Sequence, residues 1–185
     1  MKVLGISGSL RRDSYNRNLV RAAAELVPEN VEFELWNGLK EVPPYDEDDD
    51  AEPAPAAVAR LRASIAGADA LLISTPEYNS SIPGQLKNAI DWASRPIATN
   101  VLRNKPVAVV GASTGAFGAV WSQAELRKVL AATGARIVDA GVAVGHAHER
   151  FDRDGRLVDE DLRDQLREAV ELLVAELRPR LAPAA

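Results

Sequence analysis

Residues Gly5 to Asn18, Gly-Ile-Ser-Gly-Ser-Leu-Arg-Arg-Asp-Ser-Tyr-Asn-Arg-Asn, set hydroxyls, guanidinium groups and small residues between an apolar run and a stretch of helical spacing. A strand entering such a loop, with a helix leaving it, directs free N–H groups and the positive end of the helix dipole at one point. That is a way to hold a phosphate. The Ser, Arg and Asn side chains of the loop are the candidate contacts. The loop lacks the Lys of a Walker A motif, and Gly5 and Gly8 are wrongly spaced for the Gly-x-Gly-x-x-Gly dinucleotide fingerprint. The plainer alternative is a polar turn in which Ser14 caps an ordinary helix.

Two further loops carry polar and glycine-rich chemistry. Thr75-Pro76-Glu77-Tyr78-Asn79-Ser80-Ser81-Ile82-Pro83-Gly84 is stiffened by two prolines and leaves main-chain donors and acceptors for a planar, polar-edged ligand. Glu77 is either an acid catalyst or, the favoured reading, a group that caps or orients the loop, because no carboxylate or histidine partner accompanies it. Tyr78 offers a ring for stacking or simply packs on its own loop. Gly111-Ala112-Ser113-Thr114-Gly115-Ala116-Phe117-Gly118 permits close main-chain approach, although such turns are common in α/β proteins. His146 and His148 could share one face of an extended segment, but with only Glu149 and Asp152 nearby they read as a solvated loop rather than a metal site.

Alternating strand and helix signals supply the frame for these loops. Strands are expected at Lys2–Ser7, Val31–Trp36, Asp69–Ser74, Pro106–Gly111 and Arg136–Ala140, the last extended by Val142–Val144. The second alternates Val31, Phe33 and Leu35 with Glu32 and Glu34, as an edge strand does; the third and fourth are continuously apolar, as central parallel strands are. Helices are expected from about Ser14 to Val27, over Ala56–Ala66 with Gly67 as C-cap, from Pro83 with Leu86, Ala89, Ile90 and Ala93 inward, near Val120–Thr133 stopping at Gly134, and over Glu160–Leu177 closed by Pro179. Lys87 and Asp91 are spaced to pair on the outside of the third helix. The segment holding Pro43, Pro44, Asp46–Asp50 and Pro53 reads as a solvated, mobile connection, since a Ca²⁺ loop would need a spacing and a glycine that are missing. Five β-α units imply a parallel sheet with helices on both faces. In a 2-1-3-4-5 order, strands one, three and four are neighbours, and the three loaded loops line one crevice at their carboxyl ends.

Bulk properties narrow the function. A chain of 185 residues, 46% hydrophobic and 26% charged, suits one domain over residues 1–185. A net charge of −5 argues against general nucleic-acid or anionic-membrane binding, which makes the positive charge of the first loop a local feature. The absence of cysteine excludes disulfides, thiolate metal sites and Cys nucleophiles. Met1 leads straight into a strand and no apolar run approaches membrane-spanning length, so a cytoplasmic location is expected.

The set Gly8-Ser9-Leu10-Arg11-x-x-Ser14-x-Asn16, followed by Pro76-Glu77-Tyr78-Asn79 and Ser81-Ile82-Pro83-Gly84-x-Leu86-Lys87-Asn88-Ala89-Ile90-Asp91-Trp92, resembles the NADPH-dependent FMN reductase family from Met1 to about Ala140. The family includes bacterial quinone, chromate and azo-dye reductases. The resemblance implies a flavodoxin-like three-layer α/β/α sandwich with a five-stranded parallel sheet. It implies noncovalent FMN, with Ser9, Arg11, Ser14 and Asn16 at its phosphate, Tyr15 a further cofactor contact, Pro76, Glu77, Tyr78 and Asn79 around the isoalloxazine edge, and Ser113 and Gly115 nearby. NADPH or NADH would be co-substrate and a flavin, quinone, metal oxyanion or azo compound the acceptor. No catalytic side chain and no metal are implied, because the flavin N5 carries the hydride. A homodimer or homotetramer with flavin near the interface is implied too, Trp92 and the third and fourth helices being candidate contacts, although core packing is the favoured role of Trp92. This chain departs from the family where Ala119 follows Gly118 and Val120-Trp121-Ser122-Gln123 replaces an Arg-Ala-Gln pattern. The rival readings are a flavodoxin-type electron carrier without NAD(P)H activity and a flavin-free phosphate-binding module.

Overall fold

The structure, a computed structural model, describes residues 1–177. Its elements run β1 (Lys2–Ser7), α1 (Tyr15–Ala24), β2 (Glu32–Trp36), α2 (Ala56–Ala66), β3 (Ala70–Thr75), α3 (Gly84–Ala93), β4 (Pro106–Ala112), α4 (Val120–Ala132), β5 (Arg136–Ile137), β6 (Ala143–Val144), α5 (Ala147–Arg150) and α6 (Glu160–Ala175). The pairings described are all parallel and give the order β2-β1-β3-β4-β5, with β6 also on β4. Every residue of β3 and β4 is buried, as their unbroken apolar runs require of strands covered on both faces. The half-exposed β2 lies at the edge. One core joins the sheet to α1 and α6 through Leu19, Val20, Leu166, Val170 and Leu173. The other joins it to α2, α3 and α4 through Leu61, Ile65, Leu86, Ile90, Leu126 and Leu130. Among the described residues no helix is long and apolar enough to cross a membrane.

Several local expectations change. The expected fifth strand, Arg136–Ala140 extended by Val142–Val144, is split into β5 and β6, both paired with β4. Arg127, reaching down from α4, causes the interruption. Its Nη2 donates to Val109 O (2.9 Å) and Ala140 O (2.8 Å), taking a β4 carbonyl that a continuous ladder would use. Ala140 N turns back to Val138 O (2.8 Å), and a Cβ at Gly141 would lie 2.3 Å from the guanidinium. Burial holds the Arg127 guanidinium below its usual pKa, partly countered by Asp139. Gly67 does cap α2, but with a right-handed φ of −75°, while Gly134, at φ +86°, takes the left-handed position beyond α4. Pro83 is the N-cap of α3 and not its first residue. The expected stop of α6 at Pro179 lies outside the described residues.

The acidic segment is better anchored than its composition suggests. Arg62 on α2 donates to Asp50 (2.8 Å) and to Trp92 O (3.1 Å), with the Arg62 and Asp50 side chains only 14% and 13% exposed. Trp92 is fully buried; its indole N–H donates to Pro43 O (2.9 Å) and Tyr45 packs edge-on at 4.9 Å. Trp92 is therefore a core residue that staples the loop, which removes it as a subunit contact. Gln85 adds bonds to Leu39 O and Val42 O, both 2.8 Å. Truncating Asp50 to Ala strands the Arg62 charge in a largely dry site, so urea denaturation should show a loss of about 1–3 kcal/mol. A loss within the ~0.5 kcal/mol of an ordinary exposed ion pair would contradict that anchoring.

Candidate functional site

The three loaded loops leave the carboxyl ends of β1, β3 and β4, which are adjacent in the sheet. The first begins with Gly8, whose N–H donates to Ser74 O on β3 at 2.7 Å. A Cβ there would press on the methyl end of Leu86 (2.7 Å to Cδ2) and lie 3.3 Å from Ser74 O, so glycine leaves this crossing of β3 uncrowded. The hydroxyls of Ser7 and Ser9 accept weakly from the N–H groups of Ser9 and Arg11, both 3.4 Å, which bends the chain toward α1. Ser14 is the N-cap and accepts from Arg17 N (3.5 Å). The N–H groups of Tyr15 and Asn16, in the first turn, have no intrahelical acceptor.

Asn16 behaves differently from the expectation. Its buried carboxamide Nδ2 donates to Ala112 O (2.9 Å), and its Oδ1 accepts from Ala112 N (3.0 Å) and Ser74 Oγ (2.8 Å). The side chain expected to reach an anion is thus committed to β3 and β4. What Asn16 retains for a ligand is its main-chain N–H.

The second loop is fixed by α4. Glu77 Oε2 accepts from the N–H groups of Trp121 and Ser122, both 3.1 Å. It caps a helix whose own N-cap, Ala119, is left-handed (φ +63°) and has no side-chain bond to offer. A carboxylate there also suits the helix dipole. Glu77 thus orients its loop, as the favoured reading expects, but does so by capping α4, an element the sequence did not connect to it. Ser122 Oγ donates to Pro76 O (2.9 Å), which Thr75 Oγ1 also approaches at 2.8 Å. Beyond it, Tyr78 and Ser81 exchange both main-chain bonds at 3.1 Å around Asn79 (φ +53°) and Ser80 (φ +58°), the two left-handed residues of a type I′ turn. Tyr78 emerges from this turn half exposed.

The third loop is held from behind. Ser113 N donates to Val144 O and Ala147 N to Ser113 O, both 3.0 Å; Gly115 N donates to Ser113 Oγ (3.1 Å) and His146 N to Gly115 O (3.0 Å). Gly118 sits at φ +58°, and a Cβ on it would come 2.4 Å from Ala143 C. Buried Gln123 donates to Gly118 O (3.0 Å) and Val142 O (3.2 Å). His146 and His148 are exposed, with rings 6.3 Å apart, and among the described residues no three His, Cys, Asp or Glu side chains group as metal ligands.

Together the loops surround an open cleft of about 480 Å³, solvent-exposed space included. Ser9, Arg11, Ser14, Tyr15, Asn16, Pro76, Glu77, Tyr78 and Ser113 line it, as expected. Asn79 and Gly115 do not; they shape the turns behind it. Ala112 and Thr114 do, and the sequence pointed to neither, since what they bring to the wall includes ordinary main chain. Tyr15 is steadied by Phe151, with ring centroids 5.6 Å apart. Arg11 is exposed and has no ion-pair partner among the described residues, whereas the only carboxylate of the lining, Glu77, is committed to α4. One end of the cleft thus combines a free guanidinium with two orphan N–H groups at a helix start, a set that fits a phosphate dianion.

Comparison with known proteins agrees with this geometry. The family model described as NADPH-dependent FMN reductase matches residues 1–149. The chain is similar to an NAD(P)H-dependent FMN reductase of Pseudomonas aeruginosa, 44% identical over 182 residues, which are 96% of this chain and 97% of that protein. It is also similar to a 2-hydroxy-1,4-benzoquinone reductase of a Burkholderia species, 39% identical over 97% of this chain and 98% of the relative. Among solved structures, the flavoenzyme NAD(P)H:(acceptor) oxidoreductase of Paracoccus denitrificans matches with a TM-score of 0.85 at 38% identity, covering 95% of this chain and 96% of that one.

Replacing Asn16 by Ala strands Ala112 N–H, Ala112 O and the Ser74 hydroxyl inside the protein. Each stranded group costs about 1–3 kcal/mol unless water reaches it. Chemical denaturation of Asn16→Ala should show a loss at least at the upper end of that range; a variant as stable as the parent would mean that the carboxamide is not the strut described.

Proposed function

Because the chain belongs to the NADPH-dependent FMN reductase family, we propose that it is an FMN-dependent NAD(P)H oxidoreductase whose acceptor is a small quinone. The observation that carries this reading is the cleft, with its free cation and orphan N–H groups at one end and two braced main-chain loops at the other. The choice of a quinone over the other small acceptors follows relatives named for quinone reduction. Bound FMN supplies hydride acceptance from the nicotinamide and onward electron transfer.

The protein's own residues bind, orient and brace. Arg11 and the main-chain N–H groups of Tyr15 and Asn16 take the ribityl phosphate, with the hydroxyls of Ser9 and Ser14 beside them. Pro76, Glu77 and Tyr78 provide one edge of the ring site largely through main chain, and Ser113 and Thr114 the other, with Asn79 and Gly115 shaping the turns behind them. Glu77 is a positioning residue that keeps its loop seated on α4. No side chain of the cleft has to act as nucleophile, in keeping with the absence of cysteine. The chain forms one domain, works in the cytoplasm and assembles as a homodimer or homotetramer. Phe117, Val120 and Trp121 support the assembly: all three are exposed, and Phe117 and Trp121 pack edge-on at 5.0 Å at the start of α4, beside Glu77.

Arg11→Ala should weaken FMN binding at least about tenfold, the loss of one charge-assisted contact to phosphate, read by quenching of FMN fluorescence; undiminished affinity contradicts the phosphate assignment. For the activity, the FMN-loaded protein mixed anaerobically with NADPH should lose its flavin absorbance near about 450 nm and regain it when 1,4-benzoquinone is added. A flavin that NADPH and NADH both leave oxidised would overturn the oxidoreductase reading in favour of an electron carrier.

A further inference from the structure

On the other side of the same phosphate loop lies a second recess, of about 520 Å³, lined by Ser7, Ser9, Leu10, Arg11, Arg17, Trp36, Asn37, Leu39 and Lys40. It shares only Ser9 and Arg11 with the cleft. Parallel pairing of β1 with β2 creates it, by bringing the end of β2 at Trp36 level with Ile6 just before the loop. Its charge is one-sided: Arg11, Arg17 and Lys40 line it and no carboxylate does. None of the three has an ion-pair partner among the described residues. Glu41, next to Lys40, is turned away to Arg60. Such a concentration of unpaired cations in a protein of net charge −5 is a local choice, not a consequence of a basic surface.

The guanidinium of Arg17 is held in place. Its Nη2 donates to Asn37 Oδ1 at 2.7 Å, and Asn37 is in turn tied to Leu35 O at 3.4 Å. Its Nε is buried without any hydrogen-bond partner, a rare and costly condition for a charged donor. An anion between Arg17 and Lys40 would give the rest of that guanidinium a charge-assisted partner. Trp36 adds a broad apolar wall, with Leu39 beside it. Cations beside an indole suit a phosphorylated nucleoside better than a bare inorganic anion, because the base gains the aromatic surface while the phosphate takes the charge.

We propose that this recess receives the 2′-phosphate-bearing adenosine of NADPH, with Arg17 and Lys40 on the phosphate and Trp36 walling the base, so that it sets preference for NADPH over NADH. The proposal rests on the oxidoreductase reading. A reductant whose nicotinamide reaches the flavin cleft must place its adenosine outside, and the shared Arg11 makes this recess contiguous with the cleft. NADPH and NADH differ only by that phosphate, and Arg17 and Lys40, the cations of the recess left over once Arg11 serves the flavin phosphate, discriminate on that difference.

Two substitutions test it without touching the shared Arg11: Lys40→Glu, at an exposed position outside the flavin cleft, and Arg17→Gln, which retains a donor for Asn37. Titration calorimetry of the FMN-loaded protein should show adenosine 2′,5′-bisphosphate binding about tenfold or more tightly than 5′-AMP, a ratio of the size expected for a charge-assisted phosphate site. Each substitution should collapse that ratio toward one. In steady-state assays KM for NADPH should rise about tenfold while KM for NADH, kcat and flavin content stay unchanged. Equal affinity for the two nucleotides in the parent protein, equal rises in KM for both reductants, or loss of FMN from the variants would overturn the proposal; the last outcome would assign the recess to the flavin instead. If neither reductant is oxidised, the oxidoreductase reading fails, while the calorimetry still decides whether the recess selects a 2′-phosphate.

Discussion

The carboxamide of Asn16 is the junction on which the cleft depends. With three hydrogen bonds it fastens the first turn of α1 to the hydroxyl of Ser74 on β3 and to both main-chain groups of Ala112 at the end of β4. Ala112 is where β4 turns into its loop, so an unpaired N–H and C=O there would be costly in a buried position. The amide serves all three groups at once, with one N–H donated and an oxygen that accepts twice. By serving the protein in this way it fixes the start of α1 relative to the sheet. The orphan N–H groups of Tyr15 and Asn16 are then aimed by the fold and need no ligand to arrange them.

The same economy governs the other two loops. Glu77 crosses to α4 and satisfies two of its first N–H groups, and Ser122 returns a bond to Pro76 O, so the β3 loop and the α4 start hold each other. Gln123 performs the equivalent task for Gly118 and the segment leading into β6. Asn16 and Glu77, polar side chains that look made for a ligand, are consumed in bracing, which leaves the ligand the main chain of the loops together with Arg11 and the tyrosine rings. This fits chemistry carried by a cofactor: the protein has to present a rigid, correctly charged mould, and a mould is made by residues whose own bonds are complete.

How much of this was legible beforehand varied with the range of the interaction. Runs such as Asp-Ala-Leu-Leu-Ile-Ser and Pro-Val-Ala-Val-Val-Gly declare central parallel strands from composition alone, and the loops after them do wall one crevice. For Glu77 the missing catalytic partner argues for an orienting role, while the helix it caps, α4, is set only by the fold. Asn16 was identified as important but aimed the wrong way, since nothing local to it reveals that Ala112 lies within reach. The split of the last strand depends on Arg127 arriving from α4, and the anchoring of the acidic segment depends on Arg62 and Trp92 from α2 and α3. The basic recess was invisible for the same reason: Arg17 and Lys40 meet only because β1 and β2 pair in parallel.

The most direct measurement is a crystal structure of the protein grown with FMN. The phosphate oxygens should lie within hydrogen-bond distance of the N–H groups of Tyr15 and Asn16 and of the Arg11 guanidinium, with the Asn16 carboxamide still bonded to Ala112. A phosphate seated elsewhere, or an Asn16 side chain that leaves Ala112 to bind it, would contradict a cleft pre-formed by that junction.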